Sequence, residues 1–442
     1  MTIYALSSGP GLSGVAVIRI SGSETDEVIL SLTKRSLPSP RVATLSKFID
    51  SKSKELIDEG IILWFPGPNS YTGEDMAEFH VHGSKAVIQS IQQNISRVKN
   101  CRLAHPGEFT KIAFQNEKIN LLKAESIGDL IASETEIQRR QAIKIMSGKS
   151  SDIFSCWRET LLKILSNIEA KIDFPDEDLP IDVLENVKKD CEKVKVEIKK
   201  TLNDSKVGER IREGFKIAIL GPTNAGKSSL LNYFSKREAA IVSEIAGTTR
   251  DIIEVHLNMD GFPVVMSDTA GIRRSEDEIE KKGIKLALKK AKDADLNIIV
   301  FEPKSRDFTG FLGDLDLKKS IFVINKLDLG FRKTKELDQY NPIPISIKYG
   351  TNIDKLTSQI KNNLQNKFVS VEDTLITRER HRQHLEQCVA HLDEFSKKNN
   401  EKDFDKAAED IRLATRHLGM LVGKVDVEEI LGSIFNDFCI GK

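Results

Sequence analysis

The spacing of hydrophobic positions changes character along the chain and divides it before any motif is considered. Over residues 1–118, short apolar runs are separated by polar turns. Thr2–Leu6 and Val15–Ile20 read as strands joined by a Gly/Ser/Pro turn, and Ile61–Phe65 reads as another. Phe79–His82 follows the polar turn Pro68–Asp75, and Lys85–Val98 carries apolar residues at helical spacing. This is the pattern of an α+β domain. Residues 119–212 turn helical, with helices predicted at Leu121–Ala132, Glu136–Met146 and Trp157–Ile172. The acid-rich break Asp173–Pro180 reads as a solvated turn between helices, and Val183–Leu202 as a charged amphipathic helix. Between 213 and 370 strands and helices alternate, as expected for a parallel sheet. Residues 371–442 are helical again. Helix on both sides of an α/β module predicts one all-α domain interrupted by an insertion. Three domains in a row fit the same pattern.

Composition narrows the classes. A chain of 442 residues is too long for one core. Its 66 basic and 66 acidic residues leave no global field for nucleic acid, so any such contact rests on a local patch. No apolar run has the length of a membrane span, and the N-terminus lacks the basic-then-apolar pattern of a signal peptide. Five cysteines without C-x-x-C spacing predict reduced thiols and a cytoplasmic protein. His80 and His82 alternate along one strand and share a face, but no third metal ligand accompanies them in sequence.

The stretch Lys216–Asn232 organises the module. An apolar run, Ile217–Leu220, leads into Gly221-Pro-Thr-Asn-Ala-Gly-Lys227-Ser228 and then into an apolar-periodic helix start. This is G-x-x-x-x-G-K-S in its strand–loop–helix context. Backbone N–H groups and the helix N-terminus suit phosphate. Lys227 is assigned to the β- and γ-phosphates and Ser228 to Mg²⁺.

Four further elements follow in order. Gly247-Thr248-Thr249-Arg-Asp251 supplies a threonine for the Mg²⁺ shell. Asp268-Thr269-Ala270-Gly271 follows the run Val264–Met266; its Asp holds Mg²⁺ through water and its Gly N–H senses the γ-phosphate. Asn325-Lys326-Leu-Asp328 follows Ile321–Ile324, and Asp328 accepts two guanine hydrogens, a readout that rejects adenine. Ser346-Ile347-Lys348 supports the base from behind. Five elements in order resemble a translation-factor-class GTPase domain. Where Ras-like GTPases place a water-orienting glutamine, this chain has Ile272, which has no polar side-chain atom. Another group must align the water, and Glu276, Glu278 and Glu280 lie downstream. Asn224 offers a side-chain carbonyl to a monovalent cation at the phosphates, or is a variable loop residue.

Nearly the whole chain resembles one family, the tRNA-modification GTPases MnmE (also called TrmE). The resemblance lies in Val15-Ala-Val-Ile-Arg19-Ile-Ser-Gly22, Phe65-Pro-Gly-Pro-Asn-Ser-Tyr-Thr-Gly-Glu-Asp75, Pro106-Gly-Glu-Phe-Thr110, Ile172-Asp-Phe-Pro-Asp-Glu177, Asn224-Ala225-Gly226-Lys227-Ser228-Ser229, Ala246-Gly-Thr-Thr-Arg-Asp251 and the terminal Cys439-Ile-Gly-Lys442. It departs from the usual pattern at Ser84, His105, Lys111, Asn120 and Ser243.

The resemblance implies a multidomain α+β and α/β chain. An N-terminal α+β folate-binding and dimerisation domain would span 1–118, and a helical domain 119–212 and 371–442, with a P-loop Ras-like GTPase domain inserted at 213–370. It implies a homodimer that acts with the flavoprotein MnmG, FAD entering only through that partner. Together they would install an aminomethyl-type or carboxymethylaminomethyl-type group at carbon 5 of the wobble uridine of certain tRNAs. The one-carbon donor would be 5-formyl- or 5,10-methylene-tetrahydrofolate. GTP hydrolysis would depend on K⁺ and on G-domain dimerisation. By position Asn224, Ser243, Ile245 and Thr248 match the K⁺ set, and Ser228 and Thr249 the Mg²⁺ ligands. Glu280 matches the water-orienting glutamate, catalytic together with Lys227. The segment Ser243-Glu244-Ile245-Ala246 joins Gly247 in the nucleotide set. Arg19, Glu78, Lys118 and Lys442 match the folate contacts. Cys439 reads either as a reactive tail thiol or as a packed one. The G motifs by themselves also fit a regulatory or assembly GTPase; the folate residues and the terminal tetrapeptide favour the enzyme.

Overall fold

The computed structural model describes residues 1–173, 181–203, 205–222, 224–237, 239–241, 253–268, 288–303, 315–330, 339–367, 374–398 and 404–425, with 434, 438 and 441. The first elements are β1 (Thr2–Leu6), β2 (Ser13–Ser21), α1 (Thr25–Thr33), β3 (Thr44–Ile49), β4 (Leu56–Phe65), β5 (Met76–Gly83), α2 (Lys85–Ile95), β6 (Cys101–Leu103) and α3 (Glu108–Gln115). Helices α4 (Leu121–Ile131), α5 (Glu136–Met146), α6 (Lys149–Asp173), α7 (Ile181–Asn203) and α8 (Ser205–Glu213) follow. Then come β7 (Phe215–Leu220), α9 (Lys227–Arg237), β8 (Ala239–Ile241), β9 (Ile253–Met259), β10 (Phe262–Asp268), β11 (Leu296–Phe301), β12 (Ser320–Ile324) and β13 (Ile343–Pro344). The chain closes with α10 (Ile353–Lys367), α11 (Glu379–Lys397) and α12 (Phe404–Val422).

Two compact units result. The first gathers Met1–Gly128, Ile145–Phe174 and Asn400–Lys442; the second gathers Asp129–Lys144 and Pro175–Asn399. In the first, a six-stranded sheet has the order β3-β4-β5-β2-β1-β6. Alternation along β5 buries Phe79 and Val81 and turns Glu78, His80 and His82 to the other face. Helices α1 and α2 cover the buried face through Val28, Ile29, Leu32, Ile91 and Ile95. His80 Nε2 lies 3.4 Å from Glu78, and His82 Nδ1 lies 2.8 Å from Asp58. Helices α6 and α12 pack along one another in the same unit, and Arg412 meets Glu169 at 3.0 Å across them.

The second unit holds a seven-stranded sheet, β13-β12-β11-β7-β10-β9-β8. It is parallel from β13 to β10 and antiparallel at β9 and β8. Central β7 is buried through Ile217 and Ile219 on one side, where α9 and α10 contribute Leu230, Phe234, Leu356 and Ile360. Leu220, Ile299, Phe301 and Phe322 form the core on the other side. A strand covered on both faces reads as a continuous apolar run, as β7 does over its last four residues, IAIL. Helices α7 and α11 pair beside the module, with Lys195 and Lys199 both meeting Asp393 at 3.3 Å.

The elements that the pattern named are present, but β4, β5 and α6 were clipped, and α1, β3, β6 and α3 were not named. β4 begins at Leu56 rather than Ile61, because ladder pairing with β3 takes Asp58 and Glu59 into the strand. Gly60 completes it, since a Cβ there would lie 2.2 Å from the His80 carbonyl oxygen. α6 begins at Lys149 rather than Trp157, its polar first turns hiding the start. The turn expected at Asp173–Pro180 lies outside the described residues beyond Asp173.

The Phe48 and Phe79 rings, 5.1 Å apart and fully buried, centre the first core. Phe79→Ala should lower the unfolding free energy of this unit by about 3–5 kcal/mol, read from denaturant unfolding followed by hydrogen exchange. A loss below about 1 kcal/mol would place the ring outside the core.

Candidate functional site

The carboxyl ends of β7, β10 and β12 and the segment after β13 face one side of the second sheet, where open α/β sheets bind ligands. After β7 the chain turns at Gly221, whose φ is +143°. A Cβ on Gly221 would lie 2.1 Å from the Val300 carbonyl oxygen, so only glycine lets the loop leave the sheet beside β11. Gly226, at φ +100°, passes so close to Asn325 that a Cβ would lie 2.2 Å from its Nδ2. Asn224 sits between them at φ +65° with its side chain exposed.

Lys227 opens α9 and is buried, and its ammonium donates to the carbonyls of Gly221 at 2.8 Å and Pro222 at 2.7 Å. These oxygens hold the cation inside the loop, facing the anion site that the helix N-terminus makes. The Ser228 hydroxyl donates to a carboxylate oxygen of Asp268, the last residue of β10. Hydroxyl and carboxylate oxygens side by side are the hard donors that Mg²⁺ takes, so these two residues fit that ion. Ser229 is exposed in the first turn of α9.

Asn325 ties the phosphate end to the base end. Its Nδ2 donates to the Ala225 carbonyl at 2.9 Å, and its Oδ1 accepts from the Ile347 N–H at 3.2 Å. Lys326 takes φ +62° and pairs with Glu302, which follows β11. The Ser346 hydroxyl donates to Asp328 Oδ1 at 2.7 Å. That bond holds the Asp328 carboxyl below its ordinary pKa against the opposing effect of desolvation, and Lys348 and Lys326 add to the lowering. The ammonium of Lys348 lies over the Tyr349 ring at 5.2 Å. Asp328 is therefore an anionic acceptor aimed by a neighbour, with Ser346, Ile347 and Lys348 behind it.

The first unit gathers a second set of groups. Arg19 and Glu78 face each other across β2 and β5, and the guanidinium donates through Nε at 3.1 Å and Nη2 at 2.9 Å to Glu78 Oε1. The same guanidinium lies 5.7 Å from the Tyr71 ring and 5.8 Å from the Phe109 ring. The side chain of Lys118 crosses Gly73, where a Cβ would lie 2.9 Å from its Cε. The turn at 71–73 thus has Arg19 at one end and Lys118 at the other. The Gly441 carbonyl accepts from the Ser7 hydroxyl at 2.7 Å, beside the end of β1. Ser7 is two residues beyond Ala5, the register partner of Arg19.

Ser243, Glu244, Ile245, Ala246, Gly247, Thr248, Thr249, Thr269, Ala270, Gly271, Ile272, Glu276, Glu278, Glu280, Cys439 and Lys442 lie outside the described residues. Sequence reasoning missed Glu302, although it stands at the carboxyl end of an apolar run, where ligand-facing residues sit. It also missed Tyr71 and Phe109 as partners of Arg19, though both lie within the motifs that carry the resemblance.

Residues 2–118 match the family described as GTP-binding protein TrmE N-terminus, and residues 121–439 match the MnmE helical domain. The tRNA modification GTPase MnmE of Pelagibacter ubique is 68% identical over 443 residues, covering 100% of both chains. The proteins of the same description from Rickettsia akari and Parvibaculum lavamentivorans are 45% and 43% identical, again covering 100% of each chain.

Asp328→Asn should weaken GTP on the order of 10²-fold and shift preference to xanthosine triphosphate, read by competition titration. Unchanged GTP affinity would misplace the loop. In the parent protein the accepting form is the carboxylate, and its pKa is lowered. Acceptance is then lost only as pH falls through that lowered value. Guanine affinity should stay flat on account of this group from about pH 8 to about pH 5.

Proposed function

The chain belongs to the MnmE family of tRNA modification GTPases, and from that premise we propose that it modifies the wobble uridine of tRNA at carbon 5 while hydrolysing GTP. It is a GTPase. The observation that supports the nucleotide half is the bonding of Asn325 to Ala225 and Ile347, which ties the phosphate loop to the segment Ser346–Lys348.

In this reading the chain's own residues divide the work. Lys227 balances charge on the β- and γ-phosphates from inside the loop. Ser228 and Thr249 hold Mg²⁺, with Asp268 beside the Ser228 hydroxyl. When bound, Mg²⁺ neutralises developing phosphate charge as a Lewis acid. Asn224, Ser243, Ile245 and Thr248 hold K⁺. The exposed Asn224 side chain in its left-handed loop position supports that assignment. Glu280 aligns the attacking water, because Ile272 has no atom to do so.

The one-carbon half belongs to the first unit. Arg19 suits a carboxylated, pterin-bearing folate, with Glu78 as its orienting partner and Tyr71 and Phe109 as an aromatic wall. Lys118 and Lys442 complete the set, and the Ser7–Gly441 bond supports the approach of the tail. The partner in the proposed reaction is MnmG, which brings FAD. A second copy would pair through the outer face of the first sheet, where Leu45 and Ile61 stand directly opposite each other and exposed at 61% and 39%.

Nucleosides from tRNA of cells lacking this gene should lose the carbon-5-substituted wobble uridine, and reintroducing the gene should restore it. An unchanged nucleoside profile would reject the reaction. For hydrolysis, GTP turnover should be faster in K⁺ than in Na⁺. Glu280→Ala should lose about two decades or more of single-turnover rate while GTP still binds. Parent-rate hydrolysis by Glu280→Ala, with loss instead in Glu276→Ala or Glu278→Ala, would move the role to that residue.

A further inference from the structure

One carboxylate in the second unit joins the chain's entry into the nucleotide module to its exit. Asp129 stands in the last turn of α4, where the second unit begins. Its Oδ1 accepts from Arg212 Nε at 3.0 Å and from Arg378 Nη2 at 2.7 Å. Arg212 stands in the last turn of α8, and only Glu213 and Gly214 separate it from β7. Arg378 immediately precedes α11. Both pairs are largely shielded, the three side chains being 15%, 29% and 16% exposed. Charges held this far from water keep much of their mutual attraction and are costly to separate.

Three further contacts tie the same stretch to the module. Gln138 Nε2 donates to the Arg212 carbonyl at 3.2 Å. His256 Nδ1, on β9, lies 3.5 Å from Glu134 Oε2. Ile137 packs against the module core. Entry and exit also touch each other, for a Cβ on Gly208 would lie 1.8 Å from the Ile376 carbonyl oxygen. At its far end β7 carries the phosphate loop, so α8 and Gly221 are joined by a single buried strand.

We propose that Asp129 is a positioning residue: it holds the entry and exit arms of the nucleotide module on segment 129–141, so that a change of nucleotide at the phosphate loop alters the order of that segment. The proposal rests on the guanine-site reading and adds to it a mechanical outlet through α8. None of these residues belongs to the five nucleotide motifs.

Hydrogen exchange of the full chain with GDP and with a non-hydrolysable GTP analogue tests it. In the parent, exchange in peptides covering 129–141 should differ about fivefold or more between the two nucleotides. In Asp129→Asn that difference should fall below about twofold, while affinity for both nucleotides stays within about twofold of the parent. Asp129→Glu should restore the difference. Should Asp129→Asn fail to fold, Arg378→Gln, which keeps the Arg212 pair, should show the same loss of response. An equal response in parent and variant, or none in the parent, overturns the proposal. So does a parallel loss of nucleotide affinity in the variant, which would make Asp129 a support of the fold alone. Affinity measured on the same samples separates failure of the joint from failure of the guanine site, which would appear in the parent.

Discussion

The nucleotide site depends on one buried amide. Asn325 is almost wholly shielded, and a shielded amide must find partners for both its oxygen and its nitrogen. It finds them on two different loops, Ala225 of the phosphate loop and Ile347 of the base loop. Removing either partner would leave a buried polar atom unmatched, at about 1–3 kcal/mol. The spacing between phosphate loop and base loop is therefore enforced by desolvation and does not wait for ligand. Gly226 follows from the same constraint, since only a residue without a Cβ lets the loop come within reach of the amide.

Charge is handled differently in the two units. In the module, Lys227 is held by carbonyl dipoles and stands at a helix N-terminus, an arrangement that favours an added anion. In the first unit, Arg19 already has a carboxylate partner and two aromatic rings close by, contacts that together restrain it. A guanidinium restrained this way presents a defined edge and adds little net charge. The first arrangement suits phosphates; the second suits a flat ligand recognised by shape and hydrogen bonding.

How much of this could be read from the chain follows from how local each feature is. The phosphate loop was legible because G-x-x-x-x-G-K-S is contiguous and its strand and helix flank it. Asp328 and Ser346 were legible as motifs, but not that one donates to the other, since they meet only when β12 and β13 lie in register. β4 was clipped because its first half is polar, and the ladder rather than hydrophobicity takes it into the sheet. Glu302 was missed because a single carboxylate after an apolar run carries no motif. The Arg212–Asp129–Arg378 cluster was invisible for a stronger reason: Asp129 and Arg212 lie 83 residues apart and the whole module separates both from Arg378, so no spacing rule relates them.

That separation also bears on how an inserted module can stay attached. An insertion joins its host by two chain crossings, and two independent crossings leave a hinge. Here α8 and the 374–377 segment are packed backbone to side chain at Gly208 and Thr374, and backbone to backbone at Gly208 and Ile376. Arg210 and Lys367, one from each crossing, both bind Asp295 at the foot of β11, through its carboxylate and its carbonyl respectively. The two crossings thus behave as one stem inside the second unit, fastened to the module by Asp295 and to segment 129–141 by Asp129. A single stem with a carboxylate at each end resists bending better than two strands of chain. It gives the phosphate loop, at the far end of β7, a stiff connection to segment 129–141, which lies outside the nucleotide motifs.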